Sequence, residues 1–336
     1  MITTQDNKTL ALGFLGVGWI GRNRMEAILR HSKATAASIV EPNEENAAEA
    51  QKMAPDAKAE SSFEIMLQDG SLDGVVIATP SALHAAQSVE ALKAGKAVFC
   101  QKPLGRTAAE VREVVQAAAG ADRLLGVDLS YRHVKAFQEL QRVISSGEIG
   151  EIYAVDLVFH NAYGPDKDWF YNLQLSGGGC VMDLGIHLVD MALWCLNFPV
   201  IKEIKSHLCH QGHRLKPGEA QVEDYASVSM TTEEETVINM QCSWHISAGQ
   251  DAVIEARFYG TGGGAAVKNI NGSFYDFTAE KYHGTQKQTL VSPPDNWGGM
   301  AGVVWAERLS AGEGHDAAAA EELILTAEII DRIYGR

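Results

Sequence analysis

With 336 residues, 46% of them hydrophobic and 21% charged, the chain has the composition of a folded globular protein of about two domains. Lys and Arg number 28 against 43 Asp and Glu, and a net charge of −15 argues against nucleic acid or an anionic membrane surface as a partner. No apolar run approaches the roughly 20 residues of a bilayer span. Five cysteines, at 100, 180, 195, 209 and 242, are odd in number and lack a CxxC pair. They predict reduced thiols in the cytoplasm rather than a disulfide scaffold.

The first 128 residues alternate short apolar runs with amphipathic segments. Strands are predicted at 10–15, 36–40, 74–79, 97–100 and 124–127, with helices between them, the pattern of a parallel, doubly wound sheet. The stretch 10–20 is interrupted by Gly13, Gly16 and Gly18 and reads as a buried first strand, not a signal peptide. Ser61 with Glu64 and Thr107 with Glu110 have capping-box spacing, and Gly95 and Gly120 stand where helix C-caps are expected.

The first strand ends in GFLGVGWIGR, which places Gly16, Gly18 and Gly21 in GxGxxG spacing around Trp19 and Ile20. Such glycines permit a tight turn and let backbone amides approach a pyrophosphate at a helix N-terminus. Glu41 closes the second strand about 20 residues later, where a carboxylate takes the adenosine ribose hydroxyls. That charge favours NAD over NADP, with Arg22 as a counter-signal. Two further strand ends carry polar loops, Thr79-Pro80 with His84 and Gln101-Lys102-Pro103. Carboxyl ends of parallel strands are where open α/β sheets bind ligands.

After Tyr131 the rhythm changes to a helix near 134–144, a long alternating strand at 153–159 and a helix over 181–196. Strands follow at 200–208, 225–231, 236–244, 253–259 and 273–278, then a last helix at 316–333. Strand after strand without intervening helices predicts an α+β domain on a large, mostly antiparallel open sheet. A boundary is expected at 128/129, giving a dinucleotide-binding Rossmann domain over 1–128 and a substrate-binding and oligomerisation domain over 129–336. In SGGGCVMDLGIHLVD, helical spacing sets Asp183 and His187 four apart on one face, a general base with an orienting carboxylate. A satisfied structural pair remains the alternative.

His207, Cys209, His210 and His213 lie within seven residues, but strand alternation divides them between two faces, so no metal site is expected. GTGGGAA at 260–266 reads as a hairpin turn. Tyr163, Asp168, Trp169 and Phe170, Trp244-His245, and Asp295-Asn296-Trp297 are candidate pocket linings or core.

Together these elements resemble the Gfo/Idh/MocA family, named for glucose–fructose oxidoreductase and inositol dehydrogenase. The resemblance runs over nearly the whole chain: the glycine loop, IATPSALH, AGKAVFCQKPLG, GEIGEIYAV and GGGCVMDLGIHLVD. It implies a Rossmann domain plus an open-sheet α/β domain, a nicotinamide cofactor, and sugars, cyclitols or related polyols as substrates. It further implies a catalytic lysine, which maps to Lys102, and a catalytic Asp/His pair, which maps to Asp183 and His187. Thr79, Pro80, His84 and Gln101 fall beside the cofactor, Tyr131 and Trp169 beside the substrate. One position departs from the family pattern, Gln101 standing where Glu is usual.

Under that resemblance His187 removes a hydroxyl proton while hydride leaves the carbinol carbon, Asp183 supports the imidazolium, and Lys102 hydrogen-bonds the oxygen. Redox-neutral lyase or glycosidase chemistry, or a sugar or NAD sensor, would use the same fold. A homodimer or homotetramer through the C-terminal sheet is expected.

Overall fold

The computed structural model describes residues 8–216 and 218–336. In the first compact unit the chain runs β1 (Leu10–Leu15), α1 (Trp19–His31), β2 (Ala34–Val40), α2 (Glu44–Met53), β3 (Lys58–Ala59) and α3 (Phe63–Leu67). It continues through β4 (Gly74–Ile77), α4 (Ser81–Lys93), β5 (Ala97–Cys100), α5 (Ala108–Ala121) and β6 (Leu125–Val127). Among the described residues these six strands form one parallel sheet in the order β3-β2-β1-β4-β5-β6. Reversal of strand order at β1/β4 makes the switch point at which such sheets bind ligands. Phe14, Val76 and Phe99 are almost fully buried there, each contributing on the order of 2 kcal/mol by apolar burial.

The main segment of the second unit begins at Tyr131, within a 3₁₀ turn over Ser130–His133, followed by α6 (Lys135–Ser145), β7 (Ile152–Asn161) and α7 (Leu173–Ser176). Next come a π turn at Val181–Gly185, α8 (Ile186–Cys195), β8 (Ile201–His210), β9 (His213–Arg214), β10 (Tyr225–Thr232) and β11 (Val237–Ser243). The strands β12 (Ala252–Gly260), β13 (Gly263–Asn269), β14 (Phe277–His283) and β15 (Gln286–Val291) complete it. Its nine described strands pair in the order β15-β14-β13-β12-β7-β11-β10-β8-β9, antiparallel except for β7 with β11. Val155, Leu157 and Phe159 point into the core, while the opposite face carries Asp156, His160, Asn239, Gln241, Glu255 and Arg257.

Several expectations need correction. A single cut at 128/129 does not describe the compact units, because α9 (Met300–Ser310) and the start of α10 (Ala317–Tyr334) are grouped with the first. The reason is packing. Trp305 lies on the parallel sheet at Gly74 and Gly126, where any Cβ would come within 3 Å of its ring, and against Phe99 with ring centroids 5.7 Å apart. The helical stretch Leu173–Cys195 does have the length and hydropathy of a membrane span, but 83% of its apolar window is buried as a core helix.

Ser62, not Ser61, caps α3, its hydroxyl accepting from the Ile65 amide. Gly120 lies inside α5, and Asp122 takes the left-handed position after it with φ 48°. Only Thr261 and Gly262 make the hairpin turn, since Gly263 already begins β13.

Candidate active site

In the first unit the three loop glycines are distinguished by what surrounds them. Gly16 has φ +80°, and a Cβ there would meet the Ala78 carbonyl oxygen at 2.7 Å. A Cβ on Gly21 would strike the Gly16 carbonyl oxygen, so this glycine lets α1 lie close to the turn. At Gly18 a Cβ would meet nothing within 4 Å. Open space at Gly18, beside a helix start that carries no side-chain cap, leaves backbone amides accessible to a phosphate. Trp19 is 66% exposed and Ile20 half-buried at the same helix start.

Glu41 is held at the end of β2 by two amides, Val17 N at 2.8 Å and Asn43 N at 3.0 Å. Arg22 donates to the Val17 carbonyl at 3.0 Å and to Asn46 Oδ1 at 2.7 Å, so its guanidinium is tied into the loop. The donor and acceptor set fits a dinucleotide with unmodified ribose hydroxyls.

Beyond β4 and β5, His84 is buried and joins the two polar loops. Its ring nitrogens lie 2.7 Å from the Thr79 carbonyl and 2.7 Å from the Pro103 carbonyl. Burial lowers its pKa, and the nearby Lys102 charge lowers it further, against the pull of the two carbonyls. His84 therefore ties these two loops together through their backbone. Thr79 Oγ1 donates to Gln87 Oε1 at 2.6 Å.

Lys102 is half-buried at the cis Lys102–Pro103 bond. Beside it, the buried Gln101 amide donates to Asp128 Oδ2 at 2.8 Å. Asp128 also accepts from Arg24 Nε at 2.6 Å and Ser130 Oγ at 2.7 Å. Burial pushes the Asp128 carboxyl up, but Arg24, Ser130 and Gln101 outweigh it and hold the group below the usual carboxylate range. Sequence reasoning missed Asp128, although a lone carboxylate closing β6 was a visible signal.

In the second unit the expected helix over 181–196 begins as a π turn, with the Ile186 amide reaching the Val181 carbonyl five residues back. Asp183 lies in that turn and His187 in the first turn of α8, so simple α-helical phase does not describe their spacing. Trp244 Nε1 donates to Asp183 Oδ2 at 3.1 Å. Buried His187 meets the Tyr131 ring edge-on at 4.9 Å between centroids. Burial, and then the Asp183 charge, push the Tyr131 phenol well up, so it stays protonated.

Arg132 grips Asp190 of α8 with two bonds, 3.0 and 2.6 Å, and thereby fixes the rotation of the helix that carries His187. Trp169 stacks on Phe170 at 3.8 Å, and Phe170 stands edge-on to Trp244 at 6.4 Å. Trp297 stacks on Tyr131 at 5.6 Å, and Asp295 accepts from the Lys135 amide at the start of α6. Tyr163 donates to Asp251 and Tyr171 stacks on His245.

Among the described residues no group of three His, Cys, Asp or Glu side chains is arranged to hold a metal ion. His210 faces the Val222 carbonyl at 2.9 Å instead.

Residues 10–129 match the oxidoreductase family with the NAD-binding Rossmann fold, and residues 137–266 match the GFO/IDH/MocA C-terminal domain. D-glucoside 3-dehydrogenase of Escherichia coli is 27% identical over 205 residues, 58% of this chain and 58% of that protein. The chain thus aligns with little more than half the length of that relative. An inositol 2-dehydrogenase of Acidiphilium cryptum is 30% identical over 247 residues, 72% of this chain and 70% of that protein. A solved levoglucosan dehydrogenase bound to NADH and levoglucosan has the same fold, with TM-score 0.81, 20% identity, and 97% and 96% of the two chains covered.

Proposed function

The chain belongs to the Gfo/Idh/MocA oxidoreductase family, and from that premise we propose that it moves hydride between NAD and a carbinol or ketone carbon of a sugar, sugar acid or cyclitol. The observation that carries this reading is the division of labour in the glycine loop: one glycine turns, one packs, and one stays open beside Glu41. Gly16, Gly18 and Gly21, with the amides of Trp19 and Ile20, would hold the pyrophosphate, and Glu41 the ribose hydroxyls. Thr79, Pro80, Gln101 and Lys102 supply the cofactor-side loops that His84 joins. NAD, when bound, supplies the hydride acceptor.

The protein's own task is the proton. His187 takes the hydroxyl proton, and Asp183, held by Trp244, stabilises the resulting imidazolium. Lys102 donates to the same substrate oxygen and stabilises its developing negative charge. Trp169 offers an aromatic edge and face to the substrate's C–H surface, and Tyr131, packed against His187, lines the substrate side from beneath. The first unit serves the cofactor, and the second serves the substrate and subunit contacts. The polar face of the nine-stranded sheet is the proposed dimer or tetramer surface. Five free cysteines, four of them buried, suit the reducing cytoplasm.

Reduced-nicotinamide absorbance tests the reading, with NAD and NADP against a panel of sugars, sugar acids and inositols. Turnover with NAD that falls about 10²-fold or more in Lys102→Ala and in His187→Asn, with NADH binding retained, is expected. Equal turnover in either variant sinks the corresponding assignment. NADH binding with silence across the panel moves weight to redox-neutral or sensor chemistry.

A further inference from the structure

The start of a helix exposes amides that have no partner within the helix, and here that start is the one preceding Asp183 and His187. Four successive amides are taken by two distant residues. Gly179 N donates to both Glu223 carboxylate oxygens at 3.0 Å, and Val181 N donates to Glu223 Oε1 at 2.9 Å. Cys180 N donates to the Glu223 main-chain carbonyl at 2.9 Å, and Met182 N to the Tyr334 hydroxyl at 3.2 Å. Tyr334 closes the set by donating to Glu223 Oε1 at 2.7 Å.

The glycine run fits around this cap. A Cβ on Gly178 would collide with the Tyr334 hydroxyl, and one on Gly179 with the Glu223 carbonyl. Gly177, at φ +84°, passes Arg106, and Arg336 holds its carbonyl at 2.6 Å while stacking over the Tyr334 ring at 4.5 Å. The residue after Glu223 fixes the other side of the turn. The Asp224 carbonyl accepts from Trp244 N at 2.7 Å, and the Trp244 indole holds Asp183.

We propose that Glu223 and Tyr334 are positioning residues for the proposed proton-transfer pair: they set the depth and rotation of the π turn and so the place of Asp183 and His187. The inference rests on the roles given to that pair above. A fully buried carboxylate costs free energy, and here the groups that meet it are amides and a phenol. Its persistence is explained by geometry that a neutral apolar residue would not impose on the turn.

The test uses the full-length protein with NAD and an active substrate, in Glu223→Gln, Glu223→Ala and Tyr334→Phe. Gln keeps one acceptor oxygen for Val181 N and Tyr334, and Ala keeps none. In Glu223→Ala, kcat should fall about 10- to 100-fold with the KM for NAD unchanged, because a displacement near 1 Å is costly to the chemical step. Gln should recover most of that loss, and Tyr334→Phe should fall between. Amide exchange should accelerate over 177–187 in the Ala variant. Unchanged kcat and unchanged exchange in the Ala variant overturn the proposal, as does a loss that Gln does not recover. Should Glu223→Ala fail to fold, Tyr334→Phe decides by the same readings. If His187→Asn keeps full turnover, the proton-transfer reading falls alone, and the exchange pattern still judges whether Glu223 sets the turn.

Discussion

At position 101 an amide ends β5, and Asp128 gives the reason. Its buried carboxylate already has Arg24 and Ser130 as donors, and the Gln101 amide supplies a third. A carboxylate at 101 would bring a second negative charge to about 3 Å and leave one of the pair with a strongly raised pKa. Gln101→Glu should therefore lose stability as pH rises from 5 to 8, since the folded state would hold a proton that the unfolded chain releases. Adding Asp128→Asn restores one donor and one acceptor, so the double variant should flatten that slope. Thermal melts across the range check it, and a slope unchanged from the wild type would remove the explanation. The position of Lys102, at the end of an apolar strand and before a proline, was legible in sequence. Its neighbour's partner was not, because Asp128 is 27 residues away in sequence.

Helix α8 shows what one ion pair does for an element. Asp190 is 2% exposed and takes both bonds from Arg132, whose guanidinium also lies over the Trp194 and Phe198 rings. Removing the Asp190 carboxylate takes two charge-assisted hydrogen bonds from a mostly buried guanidinium, which costs about 3–5 kcal/mol. Asp190→Ala should show that loss in denaturant melts, and Arg132→Leu with Asp190→Leu should recover a large part of it. A loss under 1 kcal/mol would mean that the pair is solvent-screened.

Elements whose signal is local were legible in sequence. Strands β1 and β5 are apolar runs ended by glycine or polar residues, and β7 alternates through Val155, Leu157 and Phe159. The π turn was not legible, because its extra residue answers to Glu223, Tyr334 and Trp244, all distant in sequence. Helix α9 was missed because Gly298, Gly299 and Gly302 resemble a loop. Gly302 is instead a close-packed contact, where a Cβ would meet Ile28 at 2.9 Å.

For the molecule as a whole, the chain leaves the first unit after Ser130, returns to it at Gly298 and leaves it again after Leu323, so neither unit is a continuous segment. Family resemblance foretold a Rossmann domain followed by an open sheet, but not that the sheet of the first would depend on Trp305. A Cβ on either Gly74 or Gly126 would come within 3 Å of this indole, and Trp305 is 3% exposed. Trp305→Ala opens a cavity that should cost about 3–5 kcal/mol. Because the loss falls in the unit that carries the glycine loop, calorimetry should show the effect in the transition that saturating NAD raises. Asp190→Ala should instead shift a transition that NAD leaves in place. Two variants that lower one common transition, raised equally by NAD, would show that the units unfold as one and that the ligand stabilises both together.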